Sequence, residues 1–247
     1  MPEGAGQSRP TTDALRRNKA SMTDAIGNVN LQSVREELVE CCVRLLRKGL
    51  LTQTSGNLSI RLTSAAIAIT PTSIEYDSMK PDDIVVCGMD GAVLLGAKAP
   101  SSETPLHTAV YQHRDDINAI VHTHSLHATT LATLGMPIPA VHYIIASLNT
   151  TTVPVAPYAT YGTPELAASV RDNFQAPCMA VLIANHGMVA GGRTLKHAAD
   201  GAETTEILAG YYYRGLTVGQ PNILTASQMN EVLAKYRRKP AEAGAAH

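Results

Sequence analysis

Three histidines fall within six positions in IVHTHSLHATTLA, residues 120–132. On a strand, side chains alternate with a period of two, so His122 and His124 would point to one side while His127 breaks the spacing. A further candidate is His186 in LIANHGMVAGG, which follows an apolar strand end and precedes a glycine that leaves room beside the ring. Three protein ligands plus an open position build a catalytic zinc site, whereas a structural site is closed by four, most often with cysteine. No cysteine accompanies these three histidines. Taken singly, each of them also fits a hydrogen-bonded core or surface position. His107, His113, His142 and His197 lack such spacing and read as structural or solvent-exposed, and His247 is terminal.

A second constellation is APSSETPLHTAVYQHR. Ser101 and Ser102 are good N-cap residues, and a helix starting there would offer free N–H groups and the positive end of its dipole to an anion the size of phosphate. Glu103 stands at the same helix entrance, where it either offsets the dipole or moves protons. The third piece is TQTSGNLSIRL with ITPTSIEY. Gly56 and Asn57 suit a tight turn, while Thr54, Ser55, Thr72 and Ser73 supply hydroxyls that could hold a phosphate without lysine, or simply make a turn. This is not a Walker A loop, which requires GxxxxGK[ST].

These residues need elements to carry them. Apolar residues recur at helical spacing from Leu31 to Lys48, and Gly49 offers a C-terminal stop. NLSIRL, AIAIT, NAIVHTH, TVPVA and CMAVLIA read as strands, and IVVCGMDGAVL as a hairpin turning at Asp90-Gly91. Further helices are expected at Thr104 to His113, Ser125 to Leu134, Thr163 to Asn173, Leu195 to Tyr213 and Ser227 to Tyr236. Early hairpins followed by mixed connections predict an α/β fold whose sheet is at least partly antiparallel and covered by helices. Residues 1–29 and 239–247 are polar and small-residue-rich and read as flexible tails around one domain, residues 30–238.

Composition narrows the partners. The chain has 247 residues, 45% hydrophobic and 17% charged, with a net charge of -1, so no bulk charge draws it to nucleic acid or to an acidic membrane. No apolar run approaches the roughly 20 residues of a membrane span, and the N-terminal stretch lacks the apolar block of a secretion signal. Cys41, Cys42, Cys87 and Cys178 show neither CxxC spacing nor disulfide-scaffold density; reduced, buried thiols and a cytoplasmic location are expected.

TSGNLSIR, ITPTS, APSSETPLHTAVYQHRDDINAIVHTHSLH, VHYIIA, APYATYGT and NHGMVAGG occur in the order seen in the class II aldolase/adducin family, and the chain resembles that family's zinc-dependent L-fuculose-1-phosphate aldolases from about Leu31 to Tyr236. The resemblance implies a three-layer αβα fold with a central, largely antiparallel mixed sheet, assembled as a homotetramer with the site at the subunit interface. It implies zinc, or alternatively cobalt or manganese, held by His122, His124 and His186. Glu103 would be the acid/base, also able to occupy the open metal position; as a general base its pKa would need to rise toward neutrality when water is expelled. Thr54, Gly56, Asn57, Thr72, Ser73, Ser101 and Ser102 match phosphate-binding positions for a phosphorylated sugar, and Tyr143 matches a tyrosine acting near the aldehyde across a subunit boundary. Ser73 stands where those aldolases usually have glycine, the segment after VHYIIA differs from theirs, and the C-terminal stretch shows no clear counterpart of their closing tyrosine. Within the same family, epimerase, decarboxylase or dehydratase chemistry is the alternative, although ribulose-phosphate epimerases typically carry aspartate at position 103. A non-catalytic, adducin-like interaction module is a further alternative, and it predicts missing metal ligands.

Overall fold

The computed structural model describes residues 26–238; most of the two expected tails lies outside the described residues. The N-terminal tail was expected to run to residue 29, but Ile26 is buried against Ala66 and Val86, with Val29 packed alongside, because these apolar side chains have a sheet edge to cover.

Helix α1 (Leu31–Arg47) buries Leu38, Cys41, Cys42 and Leu45; Asn30 caps it by accepting from the Ser33 N–H, and Gly49 ends it at φ 73°. Strands β1 (Asn57–Arg61), β2 (Ala66–Ile69), β3 (Val85–Gly88) and β4 (Val93–Leu95) follow as antiparallel neighbours, with the Asp90-Gly91 turn joining β3 to β4. Next come α2 (Thr104–His113), β5 (Ala119–Thr123), α3 (Leu126–Thr133), β6 (Ile138–Pro139) and a 3₁₀ segment (Tyr143–Leu148). Strands β7 (Thr152–Val153) and β8 (Val155–Ala156), helix α4 (Pro164–Asn173), strands β9 (Ala180–Ile183) and β10 (Gly187–Gly192), and helices α5 (Leu195–Val218) and α6 (Ala226–Arg238) complete the order.

Eight strands form one sheet in the order β4-β3-β2-β1-β5-β10-β9-β8, antiparallel at every junction except the parallel pair β8–β9. Helices α2 and α4 cover one face through Leu106, Val110, Leu166, Val170 and Phe174. Helices α1, α3, α5 and α6 cover the other, so the fold is three-layered as expected. The expected strand TVPVA is two strands: Pro154 has no N–H for a continuous ladder, and the chain switches from the small β6–β7 sheet to the main one. The strand β10 escaped the sequence reading because its glycines hide its alternation. All four cysteines are buried and free. Among the described residues no helix is long and apolar enough to cross a membrane.

The sheet is what positions the chemistry. β5 lies at its centre, buried along its whole length, between β1 and β10. Ala119 and Val121 point into one helical layer and Ile120 into the other, so the period of two sends His122 to the α2 side.

Candidate metal centre and active site

The register sets Asn57 of β1 and Val189 of β10 opposite His122, on either side of it. His124 follows at the strand end, and His186 sits in the β9–β10 turn, presented by Asn185 in a left-handed conformation (φ 54°). Three imidazoles meet there. Every pair of ring centroids is 4.9 Å apart, and the ring planes cross at 76°, 82° and 70°, so the rings form a three-bladed array with edges converging. Glu103 closes the group: its Oε2 lies 3.0 Å from His122 Nε2, its Oε1 3.2 Å from His186 Nε2, and His122 Nε2 lies 3.0 Å from His124 Nε2. One ligand atom from each of the four lies within 4.8 Å of all the others.

The donor chemistry fits a metal ion. His122 Nδ1 is 2.9 Å from the Met188 carbonyl, which only accepts, so Nδ1 carries a proton and Nε2 turns its lone pair toward the cluster. Glu103 Oε1 is buried with no hydrogen-bond donor properly aligned on it. A carboxylate and three imidazoles converging on one point form a set that could hold a cation between them. Nitrogens bound to one zinc at about 2.0–2.1 Å would sit about 3.3 Å apart, and His122 Nε2 and His124 Nε2 are 3.0 Å apart.

The titration pattern follows from the crowding. Burial alone would push the Glu103 carboxyl up, but His122 above all, with His186 and the Asn57 amide beside it, holds it well below the usual carboxylate range. The rise toward neutrality is expected of a site from which water has been expelled; in the open site two imidazoles and an amide N–H outweigh the desolvation of Glu103. Burial, reinforced by the neighbouring imidazoles, lowers His124 to about 3 and His186 to about 4, so both are neutral and able to ligate. Burial also opposes charge on His122, yet Glu103 and the Met188 carbonyl raise it. The His122–Glu103 pair is thus where one positive charge is best held.

The serine and threonine loops assemble beside this cluster. The segments around residues 71 and 100 pair through a bridge of Pro71 with Pro100, with Thr72 N–H donating to the Ala99 carbonyl and Ser101 N–H to the Thr70 carbonyl. Tyr76 donates to the Gly56 carbonyl at 2.6 Å and pins the 54–57 loop. A cavity of about 410 Å³ results. Six of the seven expected phosphate positions, Thr54, Gly56, Asn57, Thr72, Ser101 and Ser102, line it together with Glu103, His124 and His186. Ser73 does not; it sits beside Thr72 on a left-handed backbone (φ 59°), the conformation glycine adopts without cost. Tyr143 does not either, being 53% exposed on the 3₁₀ segment. Helix α2 also begins later than Ser101: Glu103 itself is the N-cap, and Ser101 Oγ accepts from its N–H. Ser55, whose hydroxyl the loop reading also offers, lines it as well, and the structure adds Pro71, Asn185, Tyr158 and Tyr161. The two tyrosines come from APYATYGT, whose Gly162 lies against the Ser102 backbone; that stretch carried the family resemblance, but nothing in its composition marks it as a lining loop.

Two glycines allow the close approach. A Cβ on Gly56 (φ 90°) would stand 2.7 Å from the His122 carbonyl, and one on Gly187 would meet the Thr123 carbonyl and stand 2.8 Å from His124 Cδ2. Gly187→Ala is accordingly expected to cost about 1–3 kcal/mol by overpacking and to weaken metal binding by pushing His124 off its position. Thermal unfolding with metal titration checks this, and an unchanged affinity would show that His124 tolerates the shift.

Comparison with known proteins agrees with this site. Residues 36–213 match the family described as Class II Aldolase and Adducin N-terminal domain. The chain belongs to the class II aldolase and adducin family. It is 41% identical over 207 residues to the 5-deoxy-D-ribulose 1-phosphate aldolase of Bacillus thuringiensis serovar kurstaki, covering 83% of this chain and 96% of that one. It is 36% identical over 209 residues to the L-fuculose phosphate aldolase of Haemophilus influenzae, covering 84% and 95%. A solved structure of an L-fuculose 1-phosphate aldolase superposes with a TM-score of 0.80 at 40% identity, over 83% of this chain and 96% of that chain.

Proposed function

We propose that the protein is a lyase, a metal-dependent aldolase that reversibly cleaves a ketose 1-phosphate to dihydroxyacetone phosphate and an aldehyde, with zinc as its metal. The observation that carries this reading is the convergence of His122, His124, His186 and Glu103 on one point beside a hydroxyl-lined cavity. A complete ligand set is not what a non-catalytic, adducin-like module requires.

Zinc held by the three histidines supplies a Lewis acid for the negative charge that develops on the dihydroxyacetone phosphate fragment. The protein does the rest. Hydroxyls and N–H groups of the 54–57, 72 and 101–102 segments grip the phosphate and hold the reacting carbons over the cluster, using binding energy remote from the bond that breaks. Glu103, ionised beside its neighbours, accepts the C3 proton in the aldol direction, and the carboxylic acid so formed is what returns that proton to C3 in cleavage. Tyr143, contributed across a subunit boundary in a homotetramer, takes the C4 hydroxyl proton during cleavage and gives it back in the aldol direction. One proton leaves the C4 oxygen and one arrives at C3, so cleavage is balanced without an oxidant. Four free, buried thiols fit a reducing, cytoplasmic setting.

The aldehyde is the finer question. Tyr158 and Tyr161, which line the cavity and are 61% and 69% exposed, are the side chains we assign to the aldehyde end. Dihydroxyacetone phosphate release from 5-deoxyribulose, L-fuculose and L-rhamnulose 1-phosphates ranks the candidates. Release from at least one is expected, and release from none by a zinc-loaded sample would move the reading to epimerase, decarboxylase or dehydratase chemistry.

A further inference from the structure

Helix α2 and strand β1 face each other through polar rather than apolar side chains. Glu103, His107 and Tyr111 recur every four residues on the helix, a rise of about 6 Å per step. Asn57 and Ser59 recur every two residues on the strand, about 6.6 Å apart. The two spacings match closely enough to make rungs. Asn57 Nδ2 donates to Glu103 Oε2 at 2.9 Å; Asn57 Oδ1 faces His107 Nε2 at 2.5 Å; His107 Nδ1 faces Ser59 Oγ at 2.6 Å; and Ser59 Oγ faces the Tyr111 hydroxyl at 2.8 Å. Asn57 is 4% exposed, and Ser59, His107 and Tyr111 are fully buried.

The direction of each bond is dictated from the carboxylate end. An ionised Glu103 only accepts, so Asn57 must turn its NH₂ toward it and its oxygen away. That oxygen only accepts, so His107 carries its proton on Nε2 and its Nδ1 must accept from the Ser59 hydroxyl. Ser59 Oγ is then left to accept from Tyr111, which also reaches the Ser59 carbonyl at 3.1 Å. A flipped Asn57 would set oxygen against carboxylate, and the other tautomer of His107 would set lone pair against oxygen. Either error is costly where water cannot repair it.

We propose that His107 is a positioning residue of the reaction: its Nε2–H locks the Asn57 amide, and the locked amide holds the Glu103 carboxylate in the orientation that accepts the C3 proton. This inference rests on the aldolase reading. The His107 ring hydrogen-bonds Asn57 and Ser59 and does not line the cavity, so its removal should act on turnover chiefly through Asn57.

The test is a double-mutant cycle on dihydroxyacetone phosphate release, with kcat, KM and metal content read separately. His107→Phe is expected to lower kcat about 10–100-fold, the range for losing a partner behind a first-rank group, with metal content unchanged and KM within about threefold. His107→Gln, which can still donate to Asn57, should recover most of the loss. In an Asn57→Ala background, adding His107→Phe should change kcat by less than about threefold. Full multiplicativity of the two losses, or equal damage by Phe and Gln, would overturn the proposal and leave His107 a packing residue. Should the Phe variant fail to fold, ¹⁵N NMR of the imidazole in the wild-type holoprotein decides: the Nε2–H tautomer supports the lock and the Nδ1–H tautomer refutes it. A wild type without turnover would instead overturn the aldolase reading, and the role with it.

Discussion

Glu103→Gln retains the metal and loses about 10³-fold in kcat. The amide has nearly the shape of the carboxylate, so the contacts with Asn57 and the packing at the start of α2 survive. It has neither the charge nor the basicity. In the protein Glu103 is the one acidic group of the cluster, and His122 and His186 together keep it ionised. A neutral amide there cannot take the proton at C3, and no other carboxylate stands among the residues lining the cavity. Kinetics and metal analysis on the same preparation check both halves. Near-normal turnover would remove Glu103 from the mechanism, and loss of metal would make it chiefly a ligand.

His124→Ala is expected to abolish turnover by emptying the proposed metal centre while leaving the fold in place. The ring lies just past the end of β5 and packs edge-on against His122 and His186, so truncation removes a ligand without cutting into either apolar core. Two histidines and a carboxylate remain, and affinity should fall by at least about 100-fold, at or beyond the upper range for losing a group that merely supports a ligand. Inductively coupled plasma measurement of metal per chain, alongside circular dichroism, separates ligand loss from unfolding. Normal stoichiometry in the variant would sink the proposed site.

Much of this is legible in the sequence. Strand alternation, which β5 obeys through Ala119 to His122, points His122 to the site, and His124, one residue past the strand end, reaches the same side. The helix at Thr104 to His113 appears with those bounds, as its apolar residues and the Pro at its first turn require. What escaped was what depends on neighbours in space. β10 carries Gly187, Gly191 and Gly192, which give no hydrophobic alternation; they are there because His124, Ile117 and the start of α5 press against that strand. His107 looked ordinary because it lacks metal-ligand spacing. Its position four residues after Glu103 was the available signal, since that spacing sets both side chains on one helical face. The direction of the Glu103 shift was unreadable for the same reason: desolvation can be guessed from an apolar setting, but the opposing imidazoles come from residues up to 83 positions away in sequence.

The most direct test is dihydroxyacetone phosphate release from 5-deoxyribulose 1-phosphate and L-fuculose 1-phosphate by one preparation, measured as isolated, after chelation, and after zinc is restored. The structure predicts release that chelation abolishes and zinc brings back, with one metal per chain. Release that persists after the metal has been stripped would contradict the central claim that His122, His124 and His186 form the catalytic centre.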